Sequence, residues 1–376
     1  LRIIKEKLFS GVKGYDVLCL AYNDHAVKDM IQMHGEMVRI INRRLGKSGV
    51  DGEIVCRTFH SNVYAWLADY TYELGIKDYK NMQLSETEEM EGMQRCINAT
   101  AKKHPKINTE YKGLANALIR MNHYVRETMI DKEQWENTPI YHEVNLEVDI
   151  IEEIFNKYKT YKDFRGKIDF TDALEMFYKL LQEDEKARER VQNSYKVVVV
   201  DEYQDFTNLM TEILKLMVGD TNTKLTCIGD GDQSIYGFRG TNSLNCLRFK
   251  EDFPTGKVLT MTINRRCKEN ILDIGRSIIA ENKYRYNKKI RSIKEGGEVI
   301  NREYSSQETQ YLKIIQDLQD IPVDEYNNIC IAYRNKESSF LLSTLLLENN
   351  IPFRIGSGSE PYNDLLSKTF NDVVYL

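Results

Sequence analysis

Val197-Val198-Val199-Val200-Asp201-Glu202-Tyr203-Gln204-Asp205 is the stretch on which the reading of the fold turns. Four β-branched residues in succession, with no polar residue between them, predict a strand covered on both faces by helices. Such a strand belongs inside a parallel sheet, since an antiparallel strand with one wet face would alternate. Ligands of such sheets gather beyond the carboxyl ends of the strands, where Asp201 and Glu202 fall. Adjacent carboxylates there suit phosphoryl transfer. One, Asp201, would hold Mg²⁺ on the β- and γ-phosphate oxygens of a nucleotide, and its neighbour Glu202 would orient or deprotonate the attacking water. Taken alone, the same residues also fit a core strand that ends in a solvated acidic turn.

A second stretch follows a helix-like segment, Leu209 to Val218, and a short apolar strand, Leu225 to Ile228. It reads Gly229-Asp230-Gly231-Asp232-Gln233-Ser234-Ile235-Tyr236-Gly237-Phe238-Arg239-Gly240. In their order and spacing, DEYQD and GDGDQSIYGFRG resemble motifs II and III of the UvrD/Rep/PcrA-type superfamily 1 DNA helicases. The resemblance implies an α/β fold with RecA-like parallel-sheet core domains and an inserted all-helical subdomain. It also implies ATP and Mg²⁺ as cofactors, with Gln233 among the nucleotide-contacting residues. Tyr236 and Phe238 sit in a glycine-bounded loop too short and polar to need two aromatics for a core, which suits stacking on the bases of single-stranded DNA. Arg239 is assigned to DNA with them.

Composition sets outer bounds. At 376 residues and 41% hydrophobic, the chain exceeds what one core supports, and two or three domains are expected. No apolar run reaches the roughly 18 to 20 residues of a membrane helix and no signal peptide opens the chain, so a cytoplasmic protein without a membrane partner is expected. The seven cysteines are scattered singly, as reduced thiols rather than a metal or disulfide framework. A net charge of −5 and a pI near 5.9 exclude a protein that coats nucleic acid by bulk electrostatics. A nucleic-acid site must therefore be local, as a stacking groove for single strands is.

Taken in order, the chain opens on a helix-periodic segment, Leu1 to Phe9, and contains no GxxxxGK[ST] phosphate loop. In the family that loop directly precedes such a helix, so it is expected upstream, and residues 1–376 by themselves are expected to be inactive. A strand from Asp16 to Ala21 leads into Tyr22-Asn23-Asp24-His25, which is similar to motif Ia. The resemblance places Tyr22 and His25 on DNA, with Tyr22 where the family has a stacking Phe; a Tyr at a strand end is also an ordinary half-buried core residue. After a strand from Glu53 to Arg57, Thr58-Phe59-His60-Ser61 matches motif Ib, which implies DNA contacts from Thr58, Phe59 and His60. A plain helix cap is the alternative for the Thr. Helical patterns then take over, with expected helices at Lys112 to Met129 and Glu143 to Tyr158. Asn264-Arg265-Arg266, after an expected strand from Lys257 to Met261, resembles motif IV. It implies that Arg266 reaches the γ-phosphate and that Arg265 replaces the Tyr that stacks on adenine. Strands are expected at Asn328 to Tyr333 and Phe353 to Ile355, and Arg334 resembles an arginine on the DNA backbone. The chain stops at Val373 to Leu376, and motifs V and VI are expected downstream.

These readings divide the chain into a first RecA-like domain (1–64 and 185–262), a helical insertion (65–184) and the start of a second RecA-like domain (263–376). The resemblance implies an ATP-dependent helicase and translocase acting 3′→5′ on single-stranded DNA and duplex junctions, in a setting such as DNA repair. Two alternatives stand beside it. One is a non-catalytic DNA-binding remnant and the other is the motor segment of a helicase-nuclease.

Overall fold

The computed structural model describes residues 12–45, 53–76, 81–111, 113–219, 221–334 and 336–355. The segments expected at Leu1 to Phe9 and Val373 to Leu376 lie outside the described residues. Two compact units divide the chain, Leu1–Glu295 and Gly296–Leu376.

The first unit begins with β1 (Val17–Ala21), α1 (Asp24–Leu45), β2 (Val55–Thr58) and α2 (Phe59–Asp69). A helical stretch follows: α3 (Glu86–Ala101), α4 (Gly113–Glu127), α5 (Val148–Arg165), α6 (Phe170–Glu183) and α7 (Glu185–Ser194). The chain then returns to the sheet with β3 (Val197–Val200), α8 (Asn208–Val218), β4 (Lys224–Cys227) and α9 (Asn245–Asp252).

The four strands form one parallel sheet in the order β2-β1-β3-β4, with Cys19 opposite both Cys56 and Val199. The valine run is an interior strand, and its alternate residues enter different layers. Val198 and Val200 pack with Leu18, Leu20, Phe177 and Ile213 on one face. Val197 and Val199 pack with Val17, Cys19 and Ile54 on the other, with Met30 of α1 against them. Each such valine contributes roughly 1.5 to 3 kcal/mol by leaving water, and both faces claim their share. That is why this strand shows no alternation.

Helices α3, α4 and α5 enclose a core of their own, with Met93, Ile97, Leu118, Met121, Ile154 and Tyr158 at its centre. The chain enters and leaves this region side by side. Leu84 N donates to Ile168 O at 2.9 Å and Ile168 N to Met82 O at 2.7 Å. Capping boxes start the helices at both crossings, Ser85 with Glu88 and Asp169 with Asp172, so the first-turn amides there are satisfied by side chains. Arg126 of α4 is fixed to α6 through Asp172 at 2.5 Å and Glu175 at 2.6 Å. Arg120 pairs with Glu143, and the exposed Lys103 lies 3.8 Å from Glu153.

Four expected elements differ in the structure, two of them in this unit. The helix expected over Glu143 to Tyr158 is split: a single turn, Tyr141–Val144, ends where Asn145 takes a left-handed conformation (φ 48°), and α5 restarts at Val148. The strand expected at Lys257 to Met261 is absent; β5 (Ile263–Lys268) lies further on and itself carries Asn264, Arg265 and Arg266. After α10 (Glu269–Ile279), β5 finds its parallel partner in β6 (Arg291–Lys294). Strand identity follows the ladder, and nothing pairs with residues 257–261 among the described residues.

The second unit is described by α11 (Gln307–Gln319) and α12 (Lys336–Glu348), which pack through Tyr311, Ile315, Leu318, Leu342 and Leu346. Residues 328–333 and 353–355 form no strand; Ile331 and Phe353 instead cover this helical core.

Candidate functional site

The site grows from the carboxyl end of β3. Asp201 N donates to Leu20 O at 2.9 Å, which continues the ladder for one more step. Glu202 then breaks it by turning into the left-handed region at φ 53°, a conformation that costs a non-glycine residue on the order of 1 to 2 kcal/mol. Gln204 holds the result in place: its Nε2 donates to Glu202 Oε2 at 2.6 Å, and its Oε1 accepts from Asp230 N at 2.9 Å. Gln204 is 2% exposed, and a Cβ on Gly229 would stand 2.8 Å from its Oε1, so only glycine lets the second turn approach this closely. One buried amide thus fastens DEYQD to GDGDQ. No periodicity or composition signal marks Gln204 for this role.

Burial, reinforced by the neighbouring Glu202, lifts the Asp201 carboxyl above its ordinary value. Among the described residues neither Asp201 nor Glu202 makes an ion pair. Two adjacent carboxylates short of a cation, at the end of a parallel strand, are a donor set that fits a hard divalent ion such as Mg²⁺. Gln233, exposed on the same second turn, donates through Nε2 to Asp230 Oδ2 at 3.1 Å.

Asp205 is a separate case. It is 6% exposed and its Oδ1 has no hydrogen-bond partner among the described residues. Burial, with Glu202 adding to it, pushes its pKa up to about 6 from 3.8. The native chain therefore holds this proton more tightly than the unfolded chain, and stability falls as pH rises from about 4 to about 6, the cost being complete above that. Asp205→Asn keeps the shape without the charge. It is expected to raise stability at pH 7.5 by about 1 to 2 kcal/mol and to lose that advantage at pH 4. Thermal melts at the two pH values decide the matter, and a variant less stable at pH 7.5 would contradict the assignment.

Beyond Gln233 the loop reaches an aromatic group exposed at the surface. Tyr22, at the end of β1, stacks on Tyr236 with ring centroids 5.3 Å apart and planes 21° apart. Phe238 lies 6.2 Å from Tyr236 and is 48% exposed. The Arg239 guanidinium sits 5.1 Å above the Tyr236 ring and 5.7 Å above Phe238, and reaches the Tyr22 hydroxyl at 3.5 Å. The fold therefore gathers Tyr22, Tyr236, Phe238 and Arg239 into one cluster of π-faces and a cation. The loop rests on the end of α4 and the residue after it: Gly240, at φ 87°, would bring a Cβ within 3.2 Å of Thr128 and 3.7 Å of Tyr124.

Other candidates lie elsewhere. The Phe59 ring is 2% exposed and packs edge-on to Phe206, 5.0 Å away, so the expectation that it contacts DNA is corrected by its place in the core. The Thr58 hydroxyl accepts from Ser61 N at 3.2 Å and caps α2. His60 packs against Phe170; burial, with nearby His123, pushes its imidazole down to about 4, so it carries no charge at neutral pH. The His25 side chain lies outside the described residues. Arg265 and Arg266 are exposed on β5, where Asn264 Oδ1 accepts from the backbone N–H of Arg266 at 2.9 Å. Neither makes an ion pair among the described residues. Arg334 is exposed in the second unit. No described helix is long and apolar enough to cross a membrane.

A parallel α/β sheet with carboxylates at its strand ends and a helical region inserted before β3 defines a RecA-like core with an inserted helical subdomain. The family profile described as the UvrD/REP helicase N-terminal domain matches residues 1–254, and that of the UvrD-like helicase C-terminal domain matches residues 259–362. The chain belongs to the UvrD/REP helicase family. Among its relatives, the ATP-dependent DNA helicase Rep of Buchnera aphidicola subsp. Acyrthosiphon pisum is 33% identical over 225 residues, covering 57% of this chain and 34% of the relative. The protein of the same name from Escherichia coli K12 is 32% identical over 196 residues, 51% of this chain and 29% of the relative. The ATP-dependent DNA helicase PcrA of Leuconostoc citreum is 28% identical over 218 residues, 56% and 29% respectively. The chain spans about a third of the length of these curated relatives.

Proposed function

We propose that the protein containing this chain is an ATP-dependent DNA translocase and helicase that moves 3′→5′ on single-stranded DNA and opens duplex junctions. Asp201 holds Mg²⁺, which supplies charge neutralisation on the β- and γ-phosphate oxygens when bound. Glu202, fixed by Gln204, orients the attacking water and accepts its proton. Gln233 and Arg266 meet the γ-phosphate, where negative charge develops, and Arg265 lies against the adenine face. Tyr236 and Phe238 stack on bases with Tyr22, and Arg239 adds a cation. His25, Thr58, His60 and Arg334 are assigned to the phosphate backbone, His60 as a neutral donor. In this reading two RecA-like domains, 1–64 with 185–262 and 263–376, close on ATP, and residues 65–184 are the insertion.

One observation carries the proposal. The Gln204 amide bonds at one end to Glu202 and at the other to the backbone of the turn that runs on into Tyr236, Phe238 and Arg239. A change at the phosphates thus has a short, hydrogen-bonded route to the base-stacking group.

The test uses duplexes with a single-stranded tail on one end. With ATP, the intact protein is expected to displace the strand from a 3′-tailed duplex and to leave a 5′-tailed or blunt one paired. Equal unwinding of both tailed substrates would overturn the polarity. Hydrolysis without any displacement would reduce the reading to a translocase.

A further inference from the structure

Lys288 lies between α10 and β6, in none of the motifs named above. Its ammonium sits 2.8 Å from Asp232 Oδ2 and pairs with Asp230 Oδ1 as well. The pairing is enclosed: the Lys288 side chain is 14% exposed and that of Asp232 only 4%. Burial alone would lift the Asp230 carboxyl, but the Lys288 ammonium and the Gln233 amide more than offset it and hold it below its ordinary value.

Two more bonds keep this segment in place. Asn282 Nδ2 donates to Asp232 Oδ1 at 3.1 Å, and the Tyr286 hydroxyl donates to Cys246 O on α9 at 2.9 Å. Three residues of 282–288 therefore fasten the segment to the turn that carries Gln233 or to the helix behind it. Three residues beyond Lys288, β6 begins and pairs with β5 in the register Ile263 with Arg291 and Asn264 with Ser292. One end of this short segment grips the Gln233 turn, and the other leads into β6, whose Lys294 Nζ donates to Arg266 O at 3.2 Å in the irregular stretch of β5 that carries Arg265 and Arg266.

The two aspartates flank Gly231 and repel each other. With the ammonium gone, Asp232 would remain as an enclosed carboxylate with no compensating cation, a far costlier state than a broken surface pair. The turn would be driven to swing one carboxylate into water, and Gln233, the next residue, would move with it.

We infer that Lys288 is a positioning residue for phosphoryl transfer, which ties the Gln233 turn to the β5–β6 pair so that Gln233 and Arg266 bear on the same γ-phosphate. This rests on the functional reading above. Lys288 touches no reacting atom in it. Its effect is on how well two groups from different elements are held together when charge develops on the transferred phosphoryl group.

The experiment compares wild type, Lys288→Met and Lys288→Arg in the intact protein, with two readouts. The first is amide hydrogen exchange of residues 229–234, with α8 (Asn208–Val218) as an internal control. Exchange in the turn is expected to rise about tenfold in the Met variant, with α8 unchanged, and to return towards wild type in the Arg variant. The second is DNA-stimulated ATP hydrolysis, where kcat should fall about tenfold in the Met variant with KM for ATP within about twofold, and Arg should restore most of it. Unchanged protection of the turn overturns the inference. So does a loss of kcat accompanied by faster exchange in α8, which would mark a merely structural residue. Should the Met variant not fold, Asp232→Asn, which leaves Lys288 its pair with Asp230, is expected to show the same pattern at about threefold, and no change in the turn would again overturn it. If wild type itself releases no phosphate, the functional reading fails, while the exchange comparison still decides whether Lys288 holds the turn.

Discussion

Glu202→Gln in the intact protein is expected to slow ATP hydrolysis by roughly 10² to 10⁴-fold while ATP still binds. The substitution keeps the size of the side chain and its capacity to meet the Gln204 amide, and removes only the charge and the ability to take a proton. Glu202 is exposed, sits in a left-handed backbone conformation two residues past the end of the strand, and has one oxygen committed to Gln204 at 2.6 Å. Among the described residues its other oxygen makes no hydrogen bond. That is the arrangement expected of a group that orients water beside a metal-bound carboxylate. Turnover near that of wild type, in a variant whose nucleotide affinity is unaltered, would remove Glu202 from the chemistry and leave the turn a purely structural one.

Phe238→Ala is expected to cost about 1 to 3 kcal/mol of single-strand affinity, roughly 5- to 150-fold in Kd. Phe238 is half exposed while its neighbours Tyr22 and Tyr236 already satisfy one another by stacking, so the ring contributes little to the fold and its loss should leave the melting temperature nearly unchanged. Tyr72, 94% exposed, serves as the control aromatic. Binding measured with a short single strand, in the absence of nucleotide, separates the two. A loss for Phe238→Ala no greater than that for Tyr72→Ala would dissolve the stacking group as a functional unit.

What could be read from residue order alone was whatever is encoded in one element. The unbroken valine run announced a strand claimed by two layers, and the structure fills both sides of it. The switch to helical spacing announced the region that α3 to α6 occupy. Contacts between elements distant in sequence were not legible. Nothing in the local pattern tells Gln204 from any other glutamine, yet it joins two turns. Lys288 reads as one of many surface lysines until the fold brings Asp230 and Asp232 around it. Phe59 shows the opposite failure: a motif match placed it on DNA, but it follows a capping Thr at the start of α2, where the first turn faces Phe206 and the core. The strand expected at Lys257 to Met261 failed because a β-pattern without a partner satisfies no backbone group, and β6 pairs with the residues just after it.

The account stands on the claim that the carboxylates at the end of β3 and the aromatic group at the end of β1 work as one machine. Phosphate release by the intact protein, with and without a saturating single-stranded oligonucleotide, measures this most directly when wild type and Phe238→Ala are run side by side. The account predicts strong stimulation by DNA in wild type and loss of most of it in the variant, with the DNA-free rate the same in both. A rate indifferent to DNA in wild type, or stimulation that survives intact in Phe238→Ala, would contradict it.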